Sequence, residues 1–440
     1  MGSITPKMEK VEAKLPGFDD FEGQHVNEEF IRAALQQADV MALRLALCQV
    51  AGDKELEAMH VTKLEFRGGA AITYVLSDAD NEKVRQKGIE YLLKGKQDVP
   101  PPIPKEEAFR LMDLYADLPL GDEKDHLRGD YEELYEELAY DDFPREVNWT
   151  NGPPKNLSDW KVVIVGAGIS GIASAVSLKR LGILFEVFER QSGCGGTWLL
   201  NSYPNVRVDS PSYLYQYRFT KKYKWSEHFA SGLELKKYLE HVATEFGILE
   251  DMKFNREVVD AQWDETRSKW NMIVKHKDGT EEKMQCNAII SASGLFSTPN
   301  LPDIKGISSF KGHMFHTSQW DHSVDYAGKD IGLVGTGSTG TQVAPALAEV
   351  AKSLTVFQRS PNWVVGFPGF RDRVNTHAHW MFENMPYYWN WYHYGNFVKS
   401  FNFVSLQARD DEWKANGGIV SQRNDSAREG LLSYIQEEIE

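Results

Sequence analysis

The chain has 440 residues, of which 42% are hydrophobic and 26% charged, with a formal net charge of −15. That length accommodates two or three domains with sizeable cores, and the acidic balance excludes general nucleic-acid binding and attachment to an anionic membrane surface. Cys48, Cys194 and Cys286 are scattered and form no CxxC, so neither a disulfide framework nor a zinc site is signalled, and no metal is expected. The first residues, Met1 to Pro6, carry no basic-then-apolar signal, and no uncharged run of about 18 apolar residues occurs. The expectation is a cytoplasmic protein without a membrane partner.

Residues 1–155 read as a mainly helical N-terminal extension. Asn27 is placed to cap a helix reaching about Val50, with Phe30, Ile31, Ala34, Leu35, Met41 and Leu45 at helical spacing. Further helices are predicted over 81–94 and 105–116, separated by the extended connector 100–104. The acidic segment 130–138 puts Tyr131, Leu134, Tyr135 and Leu138 on one face and carboxylates on the other. It reads as a solvated helix with one packed stripe or, more sharply, as a docking surface through which this region forms a homodimer. Asn151-Gly152-Pro153-Pro154 is turn chemistry and closes the region.

The run 161–171 is an apolar strand that breaks into Gly166, Gly168 and Gly171 and then a helix. A dinucleotide's pyrophosphate requires this arrangement: a tight turn, close backbone approach, and a helix packed near enough for its free N–H groups to face the anion. A second strand, 185–189, ends in Glu189, 18 positions beyond Gly171. A carboxylate there can accept from the adenosine ribose hydroxyls and would repel a 2′-phosphate, which favours FAD or NAD over NADP.

The loop that follows is dense in glycine, aromatic and charged residues, Gly195-Gly196-Thr197-Trp198 and then Tyr203-Pro204 and Arg207-Val208-Asp209, and reads as a cofactor wall. Residues 258–270 alternate as one strand, 277–280 supply a hairpin turn, and 288–294 form a short apolar strand ending in small residues.

A second strand-to-helix glycine motif spans 330–340, with Gly335, Gly337 and Gly340, a helix over about 341–351 and a strand over 353–357. That strand ends in Gln358-Arg359, a guanidinium whose forked donors match a 2′-phosphate. One unit therefore selects FAD and the other NADPH. Between them, His313 and His316 lack the acidic or cysteine company of a metal site and read as structural histidines. Residues 375–405 are rich in aromatics and read as helices inserted on the NADPH domain, with a membrane-facing patch or a substrate wall as alternatives. Residues 422–425 read as a loop before a terminal helix, 426–439.

With those motifs in place, the chain resembles the Baeyer–Villiger monooxygenases. Phe310, Gly312, His316, Trp320 and Asp321 meet the fingerprint FxGxxxHxxxW followed by Pro or Asp, and Gly195, Gly196, Trp198, Tyr203, Pro204 and Asp209 meet a second family pattern, from which Asn205 departs. The helical leader is similar in layout to that of the 4-hydroxyacetophenone monooxygenase branch. The resemblance implies an α/β fold with two Rossmann-like dinucleotide-binding domains preceded by the helical domain: 1–155 the extension, 156–300 the first part of the FAD domain, 301–440 the NADPH domain with its aromatic insert.

It further implies that FAD and NADPH serve a monooxygenase that inserts one atom of O2 beside the carbonyl of a small-molecule ketone, through a C4a-peroxyflavin, to give an ester or lactone. Glu189 would hold the FAD ribose, and Thr197, Trp198, Asp209, Tyr215 and Val258 would line the FAD. Arg207, Val208 and Asp209 would lie near the nicotinamide. Thr336, Gly337, Ser338, Thr339, Gly340, Thr341 and Gln342 would cradle the NADPH pyrophosphate, with Gln358 and Arg359 at the 2′-phosphate. Asp209, His316 and Trp320 form the set tied to catalysis, His316 as a linker between domains and Asp209 as the carboxylate that orients an essential arginine. In the family that arginine follows the aromatic insert; Arg423 and Arg428 lack its context, and the chain reads as about the first two thirds of such an enzyme. The alternatives are an N- or S-oxygenating flavin monooxygenase and a truncated, non-catalytic nucleotide-binding or assembly protein. A disulfide reductase is disfavoured by the absence of a cysteine pair.

Overall fold

Asn27 opens a helix as expected: its Oδ1 accepts from the Phe30 N–H at 2.8 Å, and α1 (Glu28–Gln36) follows. The single helix predicted to Val50 is two, because Asp39 breaks it in an extended conformation and restarts it as α2 (Val40–Ala51) by accepting from the Ala42 N–H. A side-chain acceptor for a free helical N–H makes such a restart favourable. Asp53 likewise caps α3 (Lys54–Glu57). The computed structural model describes residues 15, 17–116, 131–139, 147–221, 223–362 and 370–439; the expectations placed on Met1 to Pro6 and on Asp130 lie outside them.

The helical reading of this region omits an antiparallel hairpin, β1 (Thr62–Phe66) and β2 (Ala71–Val75). Its signal was present in two short alternating runs flanking Gly68-Gly69. Then come α4 (Asp78–Leu93), α5 (Lys105–Ala116) and α6 (Tyr131–Ala139). On α6 the stripe of Tyr131, Leu134 and Leu138 is buried within the chain, and the Tyr131 hydroxyl donates to the Asp113 carboxylate at 3.1 Å.

The middle of the chain carries the parallel sheet. It runs through β3 (Lys161–Val165), α7 (Ile169–Arg180), β4 (Leu184–Glu189), α8 (Thr197–Leu200), α9 (Gly232–Glu245), β5 (Met252–Phe254), β6 (Arg256–Asp264), β7 (Lys269–His276), β8 (Glu281–Cys286), β9 (Ala288–Ser291), β10 (Asp330–Val334), α10 (Ser338–Val350) and β11 (Ser353–Phe357). Strands β5, β4, β3 and β9 form one parallel sheet in that order, β10 and β11 a parallel pair, and β6, β7 and β8 an antiparallel meander. The strand predicted over 258–270 is instead a hairpin. Asp264 Oδ1 accepts from the Thr266 and Arg267 N–H groups at 3.0 and 3.1 Å, and Ser268 takes a φ of 49°, so the chain reverses and Trp263 faces Trp270 across the strands.

The chain ends in α11 (Thr376–Asn384), α12 (Tyr388–Gln407), α13 (Asp411–Ala415) and α14 (Gln422–Ile439). Residues 422–425, expected as a loop, are the first turn of α14, and Arg423 and Arg428 are helical. The described residues divide into two compact units, one drawn from Met1–Pro144 with Val364–Glu440 and the other from Arg145–Trp363. This departs from the 301–440 domain expected from the sequence. The aromatic helices belong with the N-terminal region because their rings complete its core: Trp380, Trp391, Tyr388 and Tyr394 are buried with Ile31, Leu35 and Leu47 in one cluster. The side chains of Phe401 and Phe403 lie outside the described residues.

A buried cation ties that unit together. Arg44 of α2 is fully buried and donates from Nε to the Leu56 carbonyl (2.8 Å), from Nη1 to Leu114 (2.9 Å), and from Nη2 to Glu57 and Met59 (3.1 Å each). The Leu56, Glu57 and Leu114 carbonyls lie in the last turns of α3 and α5, and Met59 follows α3 by two residues. Replacing Arg44 with Met keeps the length of the side chain but strips those donors, and is expected to cost about 3 kcal/mol, measured as a lowered urea midpoint with unchanged slope.

Candidate functional site

In the first glycine motif, Gly166 has a φ of 105°, and a Cβ there would meet the Ala292 carbonyl oxygen at 2.4 Å. At Gly171 a Cβ would lie 1.9 Å from the Gly166 oxygen, so only glycine lets α7 come this close to β3. The N-cap of α7 is Gly168, with no side-chain hydrogen bond, which leaves the first N–H groups of the helix facing the cleft. Glu189 at the end of β4 is 7% exposed and firmly held: Oε2 accepts from the Ala167 N–H at 2.9 Å and Oε1 from the Gln191 N–H at 2.8 Å.

One cleft gathers Gly166, Gly168, Glu189, Thr197, Trp198, Tyr215 and Val258. Trp198 and Tyr215 form its aromatic wall, edge to face with centroids 5.7 Å apart and the indole N–H directed to the Tyr215 hydroxyl at 3.3 Å. Arg190, Gln191 and Arg256 also line it and were not singled out from the sequence; the first two simply follow Glu189 in the chain. This concave arrangement fits an extended dinucleotide, with a carboxylate at one point and a free helix terminus at another.

The second motif repeats the geometry. Gly335 has a φ of 102°, a Cβ on Gly340 would stand 2.4 Å from the Gly335 oxygen, and the N-cap Gly337 of α10 makes no side-chain hydrogen bond. Thr336 is held from the far side of its loop, by Gln358 Nε2 donating to its hydroxyl at 2.9 Å and by Asn362 donating to its carbonyl. Thr341 donates its hydroxyl to the Gly337 carbonyl at 3.1 Å. Arg359 stands exposed just past β11. Thr339 and Ser338 are on the first turn of α10, and Ser338 Oγ is 3.4 Å from Asp209 Oδ2, which is also exposed.

Other predicted residues take different places. Val208 is buried and donates its N–H to the Ala230 carbonyl at 3.1 Å. Arg207 pairs through Nη1 with Glu227 at 3.0 Å. Gln342, expected among the phosphate contacts, spends its amide on the chain itself: Oε1 accepts from the Tyr203 hydroxyl (3.0 Å) and the Arg207 N–H (3.2 Å), and Nε2 donates to the Arg207 carbonyl (3.0 Å). Neither His316 nor Trp320 lines the cleft. His316 Nδ1 accepts from the Ser318 N–H at 3.2 Å and caps a short turn, while Trp320 packs edge to face on Phe315 and Tyr326 beside an apolar cluster of Tyr203, Leu333, Val343 and Leu347.

Among the described residues no group of three or more His, Cys, Asp or Glu could hold a metal, and no helix is long and apolar enough to cross a membrane. All three cysteines are free and buried; burial pushes the Cys48 thiol up to about 12 and raises those of Cys194 and Cys286.

Residues 159–372 match the family described as flavin-binding monooxygenase-like. An uncharacterized monooxygenase of Sinorhizobium fredii is 34% identical over 278 residues, 63% of this chain and 42% of its own length. A Baeyer-Villiger monooxygenase of Streptomyces coelicolor is 38% identical over 206 residues, 47% of this chain and 39% of its own. The chain thus spans about two fifths of the length of these curated relatives. The crystal structure of OTEMO in complex with FAD and NADP overlaps 51% of this chain and 43% of its own at 36% identity, with a TM-score of 0.47.

Two outcomes are expected. Glu189→Gln replaces one of two acceptor oxygens with a donor and should weaken FAD binding at least about tenfold, roughly 1.4 kcal/mol, read by flavin fluorescence titration. The native protein should leave a thiol-specific disulfide reagent unreacted at pH 8, releasing three equivalents only after unfolding, since protonated buried thiols are poor nucleophiles.

Proposed function

With residues 159–372 standing as a flavin-binding monooxygenase-like segment, we propose that the protein is an FAD- and NADPH-dependent Baeyer–Villiger monooxygenase, inserting one oxygen atom from O2 next to the carbonyl of a ketone to give an ester or lactone. The observation that carries this is the asymmetry between two otherwise matching units. The first ends its second strand in the anchored carboxylate of Glu189, and the second strand of the other is followed by Gln358 and an exposed Arg359. A carboxylate suits the free ribose hydroxyls of FAD and repels a 2′-phosphate, whereas a guanidinium pairs with one.

Bound together, FAD and NADPH supply hydride transfer to the flavin and activation of O2. The chain's own part is to bind and orient them. The α7 N-terminus and Gly168 face the FAD pyrophosphate, Glu189 takes the ribose, and Trp198 and Tyr215 form an apolar wall that keeps water from the flavin side of the cleft. The α10 N-terminus, with Thr336, Ser338 and Thr339, faces the NADPH pyrophosphate. Asp209 places a negative charge beside that helix terminus, where it is stabilised by the free N–H groups and can balance a cation. Buried free thiols suit a reducing compartment, and we place the protein in the cytoplasm.

The test is the visible spectrum of the purified protein with FAD under anaerobic conditions. NADPH should bleach the flavin at least tenfold more efficiently than NADH, and Arg359→Ala should remove most of that preference. Admission of air with a cyclic ketone should then yield lactone by gas chromatography. Equal reduction by both nucleotides, or oxidation of amines and sulfides with ketones untouched, would overturn the reading.

A further inference from the structure

We propose that Gln342 is a positioning residue: its carboxamide ties the segment 203–209 of the first nucleotide unit to helix α10 of the second, and so fixes where Arg207 and Asp209 stand relative to the loop 335–340. The proposal rests on the reading above, that both nucleotides are held together.

The side chain matches both backbone groups of one residue, accepting from the Arg207 N–H and donating to the Arg207 carbonyl, as a neighbouring strand would. On its other side Arg207 bridges Ser231 in antiparallel fashion, flanked by Val208 N–H to the Ala230 carbonyl and Gly232 N–H to the Val206 carbonyl. The segment is therefore sandwiched like a central strand, with one glutamine amide in place of a whole strand on its second edge. The Tyr203 hydroxyl fills the second lone pair of the same oxygen, and burial raises the phenol's pKa, which keeps it a donor. The Arg207 side chain is fixed as well, from Nη1 to Glu227 and to the Phe229 carbonyl at 3.0 Å each.

Gln342 lies beyond the first four positions of α10, past the N–H groups that are free to meet a phosphate. Its oxygen has both lone pairs engaged and its nitrogen one hydrogen. Two residues along the extended segment, Asp209 reaches Ser338 at the helix terminus. Release of the Arg207 anchor shifts that carboxylate relative to the second nucleotide loop. A misplacement of about 1 Å is enough to slow a transfer step about a hundredfold while leaving binding nearly intact.

The experiment compares the parent protein with Gln342→Ala and with Tyr203→Phe, which removes one hydroxyl and keeps the ring. Three quantities are read: backbone hydrogen exchange over 203–209 by mass spectrometry, NADP+ affinity by calorimetry, and the anaerobic rate of flavin reduction at saturating NADPH. For Gln342→Ala we expect exchange over 203–209 at least tenfold faster with the β3–β4 peptides unchanged, NADP+ affinity within threefold of the parent, and reduction at least tenfold slower. Tyr203→Phe should shift exchange and reduction in the same direction by a smaller factor. Unaltered exchange in both variants, or a tenfold loss of NADP+ affinity with reduction at saturation unchanged, would overturn the proposal and return Gln342 to the nucleotide contacts. If the parent itself is not reduced by NADPH, the functional reading fails, and the exchange arm still decides whether Gln342 holds the segment.

Discussion

Two carbonyl oxygens, those of Gly166 and Gly335, stand 1.9 and 2.4 Å from where a side chain on Gly171 or Gly340 would begin. This contact between the end of a strand and the first turn of the next helix is the constraint on which the nucleotide-binding unit depends. It brings the unpaired N–H groups of α7 and α10 down to the carboxyl ends of the strands. Each helix thus offers partial positive charge at the place where a pyrophosphate would cross the sheet. Glu189 gains from the same closeness, since the Ala167 N–H it accepts belongs to the turn that the glycines shape. Loosening the contact would cost the cleft its floor and its acidic anchor together.

What could be read from the residues was whatever is local. The strand, turn and helix of each motif announce themselves by apolar runs broken by glycine at fixed spacing, and β3, β10 and β11 start and stop where that pattern says. The positions of Glu189, at the end of β4, and of Arg359, two residues past β11, were equally legible, because each needs only its strand to be placed. The hydrogen bonds of Gln342 could not be read in the same way. Its position in a motif suggested a ligand contact, whereas its partners, Tyr203 and Arg207, come from 135 or more positions away. His316 and Trp320 show the same limit: a fingerprint marks the positions but does not foretell the turn cap that one makes or the ring contacts of the other.

The hairpin at 264–269 shows how one polar side chain outweighs periodicity. Residues 258–270 alternate well enough for one strand, yet Asp264 offers its carboxylate to two consecutive N–H groups and a turn becomes the better arrangement. The first unit was hardest to read for a related reason. Its core is completed by aromatic rings more than 240 positions away from α2 and α4, and its buried Arg44 looks on paper like any surface cation. Neither its partner carbonyls nor the distant rings leave a trace in local spacing.

The nesting of the units has a bearing on synthesis. Ribosomes deliver the N-terminal helices first, but the rings of Trp380 and Trp391 that close their core arrive only after all of Arg145–Trp363 has been made. The middle unit can fold as soon as it emerges, since every strand of its sheets lies within that stretch. The first half must wait with apolar faces such as those of Ile31, Leu35 and Leu47 still open to solvent. During that interval the nascent protein presents a folded nucleotide-binding body and an unfinished helical one, and it is the unfinished one that a chaperone would meet.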